Sequence, residues 1–140
     1  MYRIILAFLL AMNFTYAYPN TITWEEWNPA IFQQAKQEKK LVMLYLSADW
    51  CAFCKKMEQT TWQDQQVLDT IKGQFIPVKI QDETNPELAE KYRAYGRPAV
   101  VFYDENEVEI LKKTGYIKPQ WMYWMLSGVI QDFNPETNLK

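Results

Sequence analysis

A cysteine pair that directly follows an apolar run constrains this chain more than any other feature. Cys51 and Cys54 are the only two cysteines among 140 residues, and they lie three positions apart. The run Leu41–Leu46 before them has no polar alternation, which predicts a central strand that is covered on both faces. The residues from Lys55 onward predict a helix. The pair is therefore expected where a buried strand has ended and a helix begins.

The start of a helix favours a reactive thiol. Backbone N–H groups of the first turn lack intrahelical partners and form the positive end of the helix dipole, which stabilises a thiolate. We therefore expect the pKa of Cys51 to lie below its ordinary value of about 8.5 and Cys51 to be the nucleophile. Cys54, one turn further on, is expected to be the resolving thiol that attacks a mixed disulfide.

A metal site is the main alternative for a cysteine pair. Tetrahedral zinc requires four ligands, usually cysteine or histidine, and this sequence has two cysteines and no histidine. The missing histidine also excludes the Cys-x-x-Cys-His haem attachment motif. A structural disulfide is disfavoured too, because so small a loop removes little chain entropy. We therefore predict redox chemistry with no metal and no cofactor.

The N-terminus has the layout of a secretory signal peptide. Met1–Arg3 is a short positive region, Ile4–Met12 is uninterrupted apolar sequence, and small residues occupy positions −3 and −1 before a cut after Ala17. A membrane anchor is the alternative, but nine apolar residues fall short of the roughly 20 that a spanning helix needs. We predict a signal peptide at 1–17 and one domain at 18–140, with no stable membrane insertion after cleavage.

Composition narrows the partner classes. The hydrophobic fraction of 49 % fits a compact globular domain. The formal net charge of −2 is too close to zero to indicate binding to nucleic acid or to an anionic membrane surface. We therefore expect neither as a partner.

Strand and helix signals predict the order β-α-β-α-β-α-β-β-α. Alternating strands and helices imply a parallel core, and the hairpin near the end adds an antiparallel part. The result is an α/β fold with a mixed central sheet and helices on both faces. Pro77 argues for an edge position or an irregular start of its strand. The predicted strands are 21–24, 41–48, 75–80, 98–103 and 107–112, and the helical segments are 28–40, 55–60, 67–71, 86–92 and 119–131, the last with Trp121, Met125 and Val129 at near-helical spacing.

With Trp-Cys-x-x-Cys-Lys after the second strand and Pro98 opening the fourth, the chain resembles the thioredoxin superfamily over roughly residues 22–130. Residues 42–58 are most similar to the C-terminal periplasmic domain of the DsbD family of thiol:disulfide interchange proteins. Those domains share Ala-Asp-Trp-Cys-x-x-Cys-Lys and an acid four residues after the second cysteine, which is Glu58 here. The resemblance implies a thioredoxin fold.

The resemblance also implies roles for residues around the cysteines. Glu58 would transfer a proton to or from Cys54, with a solvated helix carboxylate as the alternative. Pro98 matches the superfamily's cis-proline, whose backbone lies beside the nucleophile and pairs with a bound peptide strand. Trp50 and Phe53 flank the sulfurs and could form an apolar docking patch. A core position for Trp50 is the alternative to that role.

Two positions depart from the superfamily pattern. Thioredoxin-like proteins often have a buried acid on the strand before the motif, and Tyr45 occupies that position here, which removes one candidate proton relay. The residue before the cis-proline is usually small or apolar, and here it is Arg97. We expect Arg97 to favour the Cys51 thiolate and to bind acidic substrate groups. An ordinary surface arginine is the alternative.

These observations predict an exported, periplasmic, monomeric thiol–disulfide oxidoreductase that reduces disulfides in client proteins. The electrons would come from a membrane-embedded partner. Oxidising and isomerising relatives usually have histidine between the cysteines, whereas this chain has Ala52 and Phe53, which favours a reductant. Two alternatives remain: a disulfide oxidase or isomerase, and a redox-inert thioredoxin-like interaction module that uses the aromatic face.

Overall fold

The computed structural model describes residues 21–133, so the predicted signal peptide at 1–17 lies outside the described residues. Within the described range the chain forms five α-helices, two 3₁₀ turns and four strands. The helices are α1 (Ile31–Glu38), α2 (Ala52–Gln59), α3 (Gln65–Gln74), α4 (Pro86–Lys91) and α5 (Pro119–Phe133), the strands are β1 (Leu41–Ser47), β2 (Phe75–Gln81), β3 (Ala99–Tyr103) and β4 (Glu109–Thr114), and the 3₁₀ turns are Thr61–Gln63 and Arg93–Tyr95.

The four strands form one mixed sheet in the order β2-β1-β3-β4. β1 pairs in parallel with β2 and antiparallel with β3, and β3 pairs antiparallel with β4. Every residue of β1 is buried, as expected of a strand with a neighbour on each side and helices on each face. The predicted mixed sheet with helices on both faces is confirmed.

Alternation along β1 divides the core into two layers. Met43 and Tyr45 point to the face that is covered by α2, α3 and α5, where they pack with Met57. Leu44 and Leu46 point to the opposite face, which is covered by α1 and the segment after α4. One strand therefore anchors both halves of the core.

The predicted strand at 21–24 is not formed, and only an isolated parallel bridge joins Glu25 to Val78. In that bridge Glu25 N–H donates to Pro77 O at 2.8 Å and Lys79 N–H donates to Glu25 O at 3.2 Å. The next bond of a parallel ladder would need a donor from the nitrogen of Pro77, which has no hydrogen. Pro77 thus limits the pairing and leaves β2 at the edge of the sheet.

Two helices differ in detail from the sequence expectation. α1 begins at Ile31 rather than at Asn28, because the Asn28 side chain accepts a hydrogen bond from Ala30 N–H at 2.9 Å and so forms a turn before the helix. In α5 the buried face consists of Met122, Leu126 and Val129, whereas Trp121 is 65 % exposed. The inward positions are thus one residue away from the aromatic residue that suggested them.

The sheet brings four loops to one edge. β1 ends at Ser47 before the cysteines, and β2 ends at Gln81 at the same edge because the two strands are parallel. β3 runs the opposite way, so its first residue, Ala99, lies opposite Leu46. Thr114, the last residue of β4, pairs with Ala99. Residues 48–51, 82–84, 96–98 and 115–116 therefore meet at the edge that carries the cysteines.

Replacement of a β1 side chain is expected to weaken both the sheet and the core. Leu44 is fully buried and lies opposite Val78 and Val101. Leu44→Ala should lower the free energy of unfolding of the oxidised protein by about 2–5 kcal/mol, as measured by denaturant titration. Leu111→Ala, at a position that is 39 % exposed on the edge strand, is the control and should cost less than about 1 kcal/mol. Equal losses in the two variants would contradict the assignment of β1 as the anchor.

Candidate active site

The two cysteines lie at the start of α2. Cys51 is the N-cap residue, and its Sγ accepts a hydrogen bond from Cys54 N–H at 3.1 Å. The two sulfurs form a disulfide, with the Cα atoms 5.2 Å apart. The side chains are nearly enclosed, at 3 % and 1 % exposed. The structure therefore represents the oxidised state, in which the Cys51 sulfur is aimed at the unpaired amides of a helix start.

A small cavity adjoins the buried side of Cys54. It has a volume of about 380 Å³, and its lining includes Ser47, Cys54, Glu58 and Lys79. Lys79 Nζ lies 2.8 Å from Glu58 Oε1, and the two side chains are 29 % and 42 % exposed. The Glu58 carboxylate is thus ion-paired at the cavity beside the inner thiol. Lys79, which lies opposite Tyr45 in the β1–β2 pairing, was not found by sequence reasoning.

Tyr45 occupies the buried position under the helix start. Its hydroxyl donates to the backbone O of Cys54 at 3.3 Å, and Lys79 Nζ lies 5.7 Å from its ring centroid. Burial, with the Glu58 charge as a smaller contribution, raises the pKa of Tyr45 to about 12. The phenol is therefore neutral near neutral pH, and it holds the first turn of α2 rather than accepting a proton.

Aromatic side chains surround the outer side of the disulfide. Trp50 is 71 % exposed and Phe53 is 58 % exposed, so the alternative core position for Trp50 is wrong. The Phe53 ring stacks on Tyr116 with centroids 6.4 Å apart. The Tyr116 hydroxyl lies 3.0 Å from Thr60 Oγ1, and Lys56 Nζ lies 4.5 Å from the Tyr116 ring centroid. Tyr116 is a second residue that sequence reasoning missed, although its place after Gly115 at the site edge could have indicated it.

Pro98 lies at the same edge as the cysteines. The Arg97–Pro98 peptide bond is cis, and Pro98 O accepts a hydrogen bond from Gly115 N–H at 2.8 Å. Gly96 has φ +74°, and a Cβ there would approach Thr114 Cγ2 to 2.9 Å, so the position requires glycine. The backbone of residues 96–98 is therefore closely packed against the end of β4.

The structure corrects the expectations for Arg97. Its side chain is 4 % exposed and its Nε donates to Asp82 Oδ1 at 2.8 Å. The other guanidinium nitrogens donate to three backbone carbonyl groups. A buried guanidinium whose nitrogens are all engaged is neither a surface arginine nor free to bind an acidic substrate group. Its charge is also paired with Asp82, which weakens any effect on the Cys51 thiolate.

Residues 21–133 contain no group of three or more His, Cys, Asp or Glu side chains that could hold a metal ion. Over the same range the structure has no helix with the length and apolar character that a membrane crossing requires. The chemistry that the site offers is that of the sulfurs themselves.

A mixed sheet with helices on both faces and a Cys-x-x-Cys disulfide at a helix start define a thioredoxin-like disulfide oxidoreductase. Residues 29–130 match the family model described as a thioredoxin-like domain, and the chain belongs to that family.

Several relatives and structures are similar to this chain. Thiol:disulfide interchange protein DsbD of Campylobacter jejuni strain RM1221 is 31 % identical over 93 residues, which are 61 % of this chain and 16 % of that protein. DsbD of Haemophilus ducreyi is 36 % identical over 97 residues, which are 65 % and 17 % of the two chains. The match thus spans about a sixth of the length of these relatives.

Solved structures support the fold. A thioredoxin from Thermus thermophilus has a TM-score of 0.64 at 21 % identity, covering 77 % of this chain and 88 % of its own. The oxidised C-terminal domain of Neisseria meningitidis DsbD has a TM-score of 0.55 at 24 % identity, covering 70 % and 89 %. The predicted thioredoxin fold and the resemblance to the DsbD family are confirmed.

The raised pKa of Tyr45 predicts alkaline sensitivity. Because the folded phenol titrates near 12 and an unfolded one near 10, the contribution of Tyr45 is complete below pH 10 and is lost as pH rises from 10 to 12. The free energy of unfolding of the oxidised protein should fall across this window, by on the order of 2 kcal/mol from Tyr45. In Tyr45→Phe the decline should be shallower by that amount. Parallel curves for the two proteins would contradict the assignment.

Proposed function

We propose that this chain is an exported thiol:disulfide oxidoreductase that reduces disulfides in periplasmic client proteins, with electrons from a membrane-embedded partner. The observation that carries the proposal is the position of Cys51 as N-cap of α2, with its sulfur accepting the Cys54 amide and bonded to Cys54. The curated relatives are named thiol:disulfide interchange proteins, which is the same reaction class. Export rests on the signal-like pattern of residues 1–17.

The proposed reaction begins with the reduced protein. The Cys51 thiolate attacks one sulfur of a client disulfide, which forms a Cys51–client mixed disulfide and releases the other client sulfur as a thiolate that takes up a proton. Cys54 then loses its proton and attacks Cys51 Sγ. This step forms the Cys51–Cys54 disulfide and releases the second client thiol. Two electrons pass to the client, and the membrane partner would return the protein to the dithiol.

Glu58 is the proposed proton acceptor for Cys54. It follows Cys54 by one helical turn and shares the cavity beside it. Tyr45 cannot take this role near neutral pH because the pKa of its phenol is too high. Lys79, at 2.8 Å from Glu58 Oε1, would hold the carboxylate at the cavity and keep it ionised.

Trp50 and Phe53 are proposed to bind apolar client segments next to the disulfide. Exposed aromatic rings bury a large apolar area on contact and lose little conformational entropy. Tyr116 supports this surface by stacking under Phe53. Pro98 is proposed to present its backbone to the client strand, as the superfamily resemblance implies. The direction towards reduction is supported by the absence of histidine between the cysteines and by the pairing of the Arg97 charge with Asp82.

Trapping tests the assignment of the two thiols. Cys54→Ser should accumulate a mixed disulfide between Cys51 and the client, because no resolving thiol remains. Cys51→Ser is the matched control, since it keeps one cysteine two sites away in the same turn and should trap little. The adducts are measured by non-reducing electrophoresis and mass spectrometry after acid quenching. Equal trapping by both variants would contradict the role of Cys51, and no adduct with either would favour the redox-inert module.

The reduction potential tests the proposed direction. Equilibration of the Cys51–Cys54 disulfide with a glutathione redox buffer should give a potential near that of thioredoxin, about −270 mV. A value near −120 mV, which is typical of strong oxidants, would favour the oxidase alternative. Peptide-disulfide reduction by the dithiol form is the accompanying activity measurement.

Proton transfer by Glu58 predicts a change in a pH–rate profile. Glu58→Gln should slow the resolution of the mixed disulfide by about tenfold or more, because the carboxylate that receives the Cys54 proton is lost. Glu105→Gln, in the turn after β3 at the opposite edge of the sheet, is the matched control and should behave as wild type. The rate is followed by stopped-flow release of the client thiol between pH 5 and 9. A profile identical to that of wild type would assign Glu58 as a merely solvated carboxylate.

A further inference from the structure

The turn after β2 contacts both loops that carry the proposed site. Gln81 Nε2 donates to Asp49 Oδ1 at 2.8 Å, and Glu83 Oε1 accepts from Asp49 N–H at 2.9 Å. Between them, Asp82 Oδ1 accepts from Arg97 Nε at 2.8 Å. Three consecutive residues, which we call the 81–83 turn, therefore join the loop before Cys51 to the loop before Pro98.

Arg97 fixes its own loop through several directions at once. Its Nη1 donates to Gly96 O at 2.8 Å and to Tyr92 O at 3.1 Å, and its Nη2 lies 3.3 Å from Ala89 O. Ala89 belongs to the last turn of α4 and Tyr92 follows that helix. Carbonyl groups at a helix end lack intrahelical partners and carry partial negative charge. The guanidinium thus ties residues 96–97 to the end of α4 as well as to Asp82.

We propose that Arg97 is a positioning residue for client binding, which acts through Asp82 and the α4 carbonyls to hold the backbone of residues 96–98 in place beside the Cys51 loop. The inference rests on the proposed function, because it requires a client strand to pair with that backbone. Such pairing depends on main-chain groups in a fixed orientation. The Arg97 side chain, at 4 % exposed, reaches inward and acts on the client only through the loop.

This role predicts a loss that depends on the substrate. A peptide with one intrachain disulfide would pair with the 96–98 backbone, whereas hydroxyethyl disulfide is too small to do so. In Arg97→Met the ratio of kcat/KM for the peptide to that for hydroxyethyl disulfide should fall on the order of tenfold, since small displacements of a binding group are costly. The fall should arise mainly from a higher KM for the peptide.

Matched variants separate positioning from general destabilisation. Arg93→Met removes an arginine that is 75 % exposed, bonded to Glu90 and only four residues away, and its ratio should equal that of wild type. Arg97→Lys keeps the charge beside Asp82 but cannot serve the carbonyls in the same way, so its ratio should lie between those of wild type and Arg97→Met. Asp82→Asn should lower the ratio as well. If Arg97→Met does not fold, Arg97→Lys and Asp82→Asn decide the question.

The outcomes are distinguishable. A lower ratio in the Arg97 and Asp82 variants, with circular dichroism and the Cys51–Cys54 reduction potential unchanged, supports the inference. Equal losses on both substrates, or an unchanged ratio, would overturn it while the proposed function stands, because wild type still reduces the peptide. If wild type reduces neither disulfide, the proposed function fails and this inference fails with it.

Discussion

The pairing of β1 on both sides is the constraint on which the site depends. β1 binds β2 in parallel and β3 antiparallel, so its end is the one place where loops from three other strands converge. The chain leaves β1 at Ser47 and enters α2 at Ala52, and Cys51 becomes the N-cap. Because Tyr45 reaches from the same strand to the carbonyl of Cys54, the strand also fixes the first turn of the helix. The sulfur geometry is thus a property of the sheet rather than of a free loop.

The strand before the cysteines explains where the charges of the site lie. A tyrosine at position 45 cannot ionise near neutral pH, so a carboxylate beside Cys54 has to come from another element. Glu58 supplies it from α2, and Lys79 pairs with it from β2. This ion pair is partly exposed, which lowers the desolvation cost that a fully buried acid would carry. The cavity beside Cys54 therefore keeps an ionised group next to the inner thiol without burying an isolated charge.

Sequence patterns predicted the parts of this structure that depend on local chemistry. The apolar run Leu41–Leu46 and the pair after it gave the central strand and the helix start. They could not give Arg97, because its partners Asp82 and Ala89 are brought to it only by tertiary packing. The missing first strand had a visible cause in Pro77, but its effect depends on which neighbour pairs at that edge. Trp121 misled because an exposed aromatic residue has the same spacing signal as a buried one.

Charges around the Cys51 loop bear on the proposed direction of electron flow. The Asp49 amide lowers the pKa of Glu83 by donating a hydrogen bond to its carboxylate, so Glu83 is ionised at neutral pH. Gln81 holds this carboxylate together with that of Asp49, two residues before Cys51. Negative charge near a thiol disfavours the thiolate and so opposes the stabilisation that the α2 N-terminus supplies. A less stabilised thiolate lowers the reduction potential, which supports a reductant.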